Sequence, residues 1–450
     1  MSVYRYTLSD YHAVGRADIL IDRITVLAGE NGCGKSTLSR WLYYLVNGSN
    51  RMDEFLYKNY IRTIYSRIDR MVKVTNDIYR QYPEFNSTED TSQTQSTRQI
   101  LRKLRMKSSP KEEDSARAFD LFVKQIHDFG DLLGKYLDKV SAGPQRERIL
   151  FYLDLESDEA KDGRQIAEDF IESNIQLLNH TTEQLNKAKL VRKRASLFDI
   201  VRDHFEETDE APNAIQFFED NVELLPDDSV STLFNLQRAI YIDTPMALVD
   251  RYSDNVFWKE LVNLMYKEGV TDDITSKKLI KRVKNVIHGE AKIVSEDSPF
   301  ADNELRYISA DNRVNIEIEK TATGFKTFTY IQRLLENGLL NSDTLLLIDE
   351  PEAHLHPQWI VEYARLLVLI SKELGLKVML ASHNPDMVAA IKAISEREGM
   401  LEHTHFYLAK NSEEEGYRYE YKDLGSDISE IFTSFNIALS RIKAYGPSDI

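Results

Sequence analysis

The stretch Gly29-Glu30-Asn31-Gly32-Cys33-Gly34-Lys35-Ser36 fits the spacing G-x-x-x-x-G-K-[ST]. An apolar run, RITVLAG, precedes it, and a helix-patterned run, KSTLSRWLYYLV, follows. Glycines in such a loop let the backbone curl so that successive N–H groups point at phosphate oxygens, and the helix starting near Lys35 adds its positive dipole end. The residues Asn31, Gly32, Cys33, Gly34, Lys35, Ser36 and Thr37 are therefore expected to cradle a nucleoside triphosphate, ATP. Lys35 has the reach for its β and γ phosphates, and the Ser36 hydroxyl is a ligand suited to Mg²⁺. Cys33 occupies a position whose work belongs to the backbone, so it reads as an incidental small residue and not as a nucleophile.

Two clusters far along the chain could complete that chemistry. LLLIDE, ending at Glu350, is an apolar strand that finishes in two carboxylates. Asp349 is suited to hold Mg²⁺ through water, and Glu350 to orient or deprotonate an attacking water. KVMLA, from Lys377 to Ala381, is a second core strand with His383 at its carboxyl end, where ligands of open α/β sheets gather. A histidine placed there can hydrogen-bond a γ-phosphate. His354 with His356, and His403 with His405, have paired spacing but no third ligand to match, so they do not read as a metal site.

GENGCGKST, LLLIDEPEAHLHP and ASHNP together resemble the Walker A, Walker B with D-loop, and switch-histidine segments of ABC-type ATPases. The likeness is to their soluble group, which includes the SMC, RecF and OLD proteins. DEPEAHLHP is similar in particular to stand-alone bacterial ATPases of anti-phage operons, such as those of the Septu and PARIS systems. The resemblance covers roughly residues 1–48 and 239–425. It implies a signature segment that completes the ATP site of a second subunit, and TATGFKTF is the best match. Thr323 and Gly324 stand there for the usual Ser-Gly, and Lys326 for the usual basic residue; Phe325 departs from the pattern. The Q-loop glutamine has no counterpart, its place in the order being taken by Asp243. What the resemblance implies is an ATPase that closes as a homodimer or higher oligomer.

The elements that must position these residues follow from hydropathy spacing. Short strands are expected up to residue 28, then a helix stopping at Asn47-Gly48. From about Met52 apolar residues recur every three or four positions, as in Tyr57, Ile61, Ile64, Ile68 and Met71. A second stripe runs through Phe122, Ile126, Phe129, Leu133, Tyr136 and Val140, and a third through Ile171, Ile175, Leu178 and Leu185. Helices of about 28 residues reach roughly 40 Å. NSTEDTSQTQST reads as a flexible tip between stripes. The expected fold is thus α/β: an ABC-type P-loop head with a large, coiled-coil-like α-helical insertion. Residues 1–49 and 236–450 form the head and 50–235 the arm. A short closing helix is expected near Ile428 to Tyr445.

Composition narrows the setting. Lys and Arg number 57 against 73 Asp and Glu, a net charge of −16, so the whole molecule repels a phosphate backbone. Local basic clusters could still meet DNA: Arg98, Arg102, Lys103, Arg105 and Lys107, and Lys187, Lys189, Arg192, Lys193 and Arg194. With one cysteine, no signal peptide and no long apolar run, the chain is expected to be soluble and cytoplasmic, without membrane contact. Asp154, Glu156 and Asp158 could bind two metals, but the surrounding helical sequence favours an acidic helix end. Most of the 67 residues after His383 are expected to finish the sheet, so no nuclease domain of OLD type is expected among them. The resemblance implies instead an effector in trans, a nuclease or toxin, within phage defence. The competing expectation is a DNA clamp of RecF or SMC type.

Overall fold

The computed structural model describes the chain except residues 1, 86–87, 108, 142, 156–160, 244–254, 268, 270, 295–302, 413–417 and 434–450. It divides into two compact units, Met1–Asn50 with Leu197–Ile450, and Arg51–Ser196.

The first unit begins with β1 (Tyr4–Tyr11) and β2 (Val14–Ile21), an antiparallel hairpin in register from Tyr4↔Ile21 to Tyr11↔Val14. β3 (Ile24–Ala28) is buried at every position, and α1 (Lys35–Asn50) follows the glycine loop. The helical unit contains α2 (Met52–Gln81), α3 (Thr88–Arg105), α4 (Glu112–Lys139), α5 (Pro144–Tyr152) and α6 (Gly163–Val191). α7 (Arg194–His204) leads back, and β4 (Ala214–Glu219), β5 (Val222–Glu223) and β6 (Arg238–Ile242) rejoin the first unit. Then come α8 (Val256–Met265), α9 (Ile274–Val286), β7 (Gly289–Val294), β8 (Glu304–Ser309), β9 (Asn315–Glu317) and α10 (Thr323–Glu336). β10 (Thr344–Asp349), α11 (Pro357–Leu374), β11 (Lys377–Ser382), α12 (Pro385–Arg397), β12 (Thr404–Asn411) and β13 (Tyr419–Gly425) complete it.

One sheet of order β5-β4-β1-β2-β13-β12-β3-β11-β10-β6 organises the head, with a separate antiparallel sheet β7-β8-β9. Its neighbours from β12 to β6 pair in parallel, so their carboxyl ends lie along one edge. The central strands β3, β11 and β10 are buried at every position and mostly apolar because both faces are covered, as parallel sheets require. Ile24, Val26, Ile240, Ile348, Val378 and Leu380 lie in one core with residues of α10, α11 and α12. Within the helical unit, α2, α4 and α6 bury a core of their own that includes Ile61, Ile68, Phe122, Ile126, Phe129 and Phe170.

Several expectations change. The helical region expected over 50–235 divides at Ser196, because β4 pairs with β1 from Tyr4↔Glu219 to Ser9↔Ala214 and so belongs to the head sheet. Gly48 does not stop α1. It lies inside the helix, where a β-carbon would come 2.4 Å from Leu197 Cδ1, so the glycine serves close packing. Most of the polar stretch expected as a flexible tip is helix from Thr88. That helix is fastened through Leu101 and Leu104, which join the helical core. In α6 the buried face holds Leu178 and Leu185 of the expected stripe, but its first half runs through Phe170 and Asn174, and Ile171 and Ile175 are only partly covered. Of the expected closing helix, residues 434–445 lie outside the described residues. Among the described residues, no helix is long and apolar enough to cross a membrane.

Candidate functional site

β3 delivers the chain to the glycine loop at Ala28, between β12 and β11. Gly32 and Gly34 have φ of 82° and 92°, a region that a β-carbon disfavours. At Gly34 that carbon would also lie 2.6 Å from Val14 Cγ2, so only glycine satisfies both the turn and the packing. Lys35 is buried, and its ammonium lies in the loop, donating to the carbonyl oxygens of Gly29 at 2.9 Å and Glu30 at 2.8 Å. The lysine side chain thus folds back into the glycine loop itself. Cys33 is buried too, its carbonyl accepting the Tyr421 hydroxyl at 3.0 Å.

Asp349 ends β10, two strands from β3 across β11, a separation of roughly 10 Å at ordinary strand spacing. Its carboxylate is buried and accepts the Ser39 hydroxyl at 2.7 Å and the Tyr241 hydroxyl at 2.8 Å. Burial pushes this carboxyl above the usual carboxylate range, against hydrogen bonds from Ser39, Ser36 and Tyr241. The Ser36 hydroxyl and the Asp349 carboxylate therefore meet, and hard oxygen donors of that kind fit Mg²⁺. A divalent cation beside Asp349 would also offset the cost of its buried charge.

Glu350 follows with φ of 49°, its N–H bonded to Ala381 O at 2.8 Å and its side chain half exposed. His383 stands at the end of the neighbouring strand β11. Its Nδ1 lies 3.6 Å from Glu350 Oε1 and 3.5 Å from Glu352 Oε1. The structure thus gathers the glycine loop, Asp349, Glu350 and His383 at the carboxyl ends of three adjacent parallel strands.

Thr323 and Gly324 open α10, whose preceding residue, Ala322, supplies no side-chain cap. A β-carbon on Gly324 would come 2.7 Å from Trp359 Cζ3, so glycine lets α10 approach the start of α11. The Phe325 ring meets both Trp359 and Tyr307 edge-on, at 5.2 and 4.9 Å. That apolar corner accounts for the residue that departs from the signature pattern. Lys326 is buried, and burial lowers its ammonium pKa, with Glu319 opposing. Among the described residues, no hydrogen bond or ion pair joins Thr323, Gly324 or Lys326 to the glycine loop of the same chain.

Sequence reasoning missed Ser39, Tyr241, Glu352 and Ser382. Ser39 lies one helical turn after Lys35, and a polar residue on a buried helix face is a readable signal. Tyr241 gave none, because its role depends on β6 pairing with β10. Asp243, next after β6, accepts the Trp258 indole N–H at 2.8 Å. His356 caps α11 at Gln358 N, and His403 meets Asp22 at 2.6 Å. Asp154, just beyond α5, is bridged by Arg70 at 3.0 Å, whereas Glu156 and Asp158 lie outside the described residues. In the helical unit, many of the clustered cations are paired with acids: Arg98 with Asp69, Lys107 with Asp114, Lys187 with Glu183, Lys189 with Glu112 and Arg192 with Asp53.

Comparison with known proteins bears on this arrangement. No curated protein matches the sequence. Solved structures similar to it include the Smc head domain from Pyrococcus furiosus, with an extended coiled coil and bound to the C-terminal domain of ScpA. That similarity is 12% identity over 98% of this chain and 100% of that one, with a TM-score of 0.34. The Smc head with a coiled coil and joint from Pyrococcus yayanosii gives 11% identity, 97% and 100% coverage, and 0.37. The SMC head domain from Thermotoga maritima gives 10%, 47% and 64%, and 0.27. The family profile described as AAA ATPase domain matches residues 1–388, a span that holds the glycine loop, Asp349, Glu350 and His383. With most of its length inside that match, the chain belongs to the AAA ATPase domain family.

Proposed function

We propose that this protein binds Mg²⁺ and ATP between two copies of its head and hydrolyses the ATP to gate a partner effector, a nuclease or toxin, in anti-phage defence. In this reading the loop residues 31–37 hold the triphosphate, and Ser36 with Asp349 holds the cation. Bound there, Mg²⁺ would neutralise charge on the transferred phosphoryl oxygens. Glu350 orients the attacking water and takes its proton, and His383 reports whether the γ-phosphate is present. Thr323, Gly324 and Lys326 of a second copy close the site from the other side. The carrying observation is that the glycine loop, Asp349, Glu350 and His383 gather at the ends of adjacent parallel strands, while, among the described residues, the Thr323 segment shares no hydrogen bond or ion pair with that loop. A second copy can bring them together around one triphosphate, and the arm's geometry then follows the nucleotide.

The effector role draws on the resemblance of DEPEAHLHP to the ATPases of the Septu and PARIS systems. The alternative is a DNA clamp of RecF or SMC type. It is favoured by exposed Arg102 and Lys103, which have no ion pair among the described residues. Salt-dependent binding of duplex DNA by the protein alone would select it.

Glu350→Gln tests the main reading. Phosphate release should fall by about 100-fold or more, while ATP binding persists and light scattering shows a dimer or larger species that forms only with ATP. Undiminished turnover would reject it.

A further inference from the structure

The turn after β10 carries a second carboxylate to which the scheme above assigns no task. Glu352 is 5% exposed, and hydrogen bonds from Ala353 N to Glu350 O at 2.9 Å and from Leu355 N to Glu352 O at 3.0 Å fix the turn around it. Its Oε1 accepts the Ser382 hydroxyl at 2.9 Å and the His383 N–H at 3.1 Å. The Ser382 hydroxyl accepts Asn384 N–H at 3.1 Å, and Asn384 Oδ1 caps α12 by accepting from Asp386 N at 2.8 Å and Met387 N at 3.2 Å. One carboxylate therefore ties the turn that carries Glu350 to the end of β11 and the start of α12.

The network is unfinished at one place. Glu352 Oε2 and His383 Nδ1 are both buried and have no hydrogen-bond partner among the described residues. Nδ1 stands between two carboxylates, 3.5 Å from Glu352 Oε1 and 3.6 Å from Glu350 Oε1, just beyond hydrogen-bond length from either. A buried carboxylate retained only for stability is usually satisfied in full, since an unpaired oxygen costs about 1–3 kcal/mol. The unpartnered ring nitrogen thus lies beside a carboxylate that still has an unused oxygen, and a small ring rotation would bring the two groups into contact.

We infer that Glu352 is a positioning residue for hydrolysis: it fixes the main chain at His383 and competes with Glu350 for the ring's Nδ1. Nε2, across the ring, is then left to face the nucleotide, and Glu350 stays free to act on water. Loss of the Glu352 oxygen leaves the His383 amide without its acceptor and lets the ring settle on Glu350. This rests on the reading of His383 as the γ-phosphate sensor.

The test uses the full chain with Glu352→Ala and Glu352→Gln. Glutamine keeps an oxygen that can accept from Ser382 and His383; alanine keeps none. Two readouts are combined: steady-state phosphate release against ATP concentration, and amide hydrogen exchange at residues 382–387 without nucleotide. The alanine variant should lose about tenfold or more in kcat, with KM for ATP within about threefold, and its His383 amide should exchange at least about tenfold faster. Glutamine should restore most of both. The inference is overturned if the alanine variant keeps its kcat, if kcat is lost only together with ATP binding, or if glutamine is as impaired as alanine. Exchange is read without ATP, so a wild-type chain that fails to hydrolyse would sink the proposed function and still show whether Glu352 holds His383.

Discussion

In the helical unit, every buried polar residue among those described is uncharged: Thr75, Thr97, Ser115, Gln125 and Asn174. The head buries Asp22, Lys35, Glu219, Lys326, Arg333, Asp349, Glu352 and Lys377. Both units have apolar cores and surface ion pairs, so the contrast lies in what each takes out of water. Burying a charge costs several kcal/mol unless it is paired or well hydrogen-bonded. Three of the head's buried charges serve architecture. Glu219 receives Tyr4, Phe234 and Asn235, Lys377 donates to the carbonyls of Ser2 and Asp22, and Arg333 donates to those of Met265 and Lys267. Lys35, Asp349 and Glu352 differ, because they gather beside one edge of the sheet. Buried charge alone therefore does not mark chemistry; buried charge converging at strand ends does.

The contrast can be broken most forcefully in the arm. Ile126 is fully buried in the helical core, so Ile126→Ala should cost that unit about 2–5 kcal/mol. Calorimetry should show an unfolding transition at lower temperature, with kcat for ATP unchanged while the arm remains folded. A parallel loss of ATP binding at temperatures where the arm is intact would mean that the two cores are not energetically separate.

Asp349→Asn sharpens the other side. Hydrolysis should drop by on the order of 100-fold, yet the nucleotide-free head should be as stable as the wild type or more so. The sign follows from the raised carboxyl: the folded chain holds its proton to a higher pH than the unfolded one. Stability is therefore lost as pH climbs from the ordinary aspartate range to the raised value, and stays lower above it. Asparagine removes that dependence, which thermal melts from pH 4 to 8 would register. Smallest of all, Arg98→Ala breaks a partly exposed pair with Asp69 and should change stability by less than about 1 kcal/mol. A larger change would make that pair part of the packing, not a solvated contact.

The sequence was most readable where meaning is local. Gly32 and Gly34 announce a loop that needs positive φ, and an apolar run ending in Asp349 and Glu350 announces a buried strand with chemistry at its tip. The stripe through Phe122, Ile126 and Phe129 likewise marked a helix that buries one face. What escaped was set by distant pairing. AIQFFE alternates as a strand should, but only its ladder with β1, more than 200 residues away in sequence, makes it part of the head. Ser39 and Tyr241 converge on Asp349 across separations of 310 and 108 residues, and no spacing rule links them. The surplus carboxylate in DEPE was visible as a residue type, but its work shows only when the turn folds under the end of β11.

The position of β3 between β11 and β12 also has a consequence for biosynthesis. The strand that feeds the glycine loop leaves the ribosome well before both its hydrogen-bonding partners, which lie more than 340 residues downstream. Until they are translated, β3 has two open edges, the kind of template that invites aggregation. Meanwhile α2 to α6, rich in local contacts, can pack on their own. A growing chain would thus hold a packed helical unit while its sheet is still incomplete, and β3 would need protection until β11 and β12 are made.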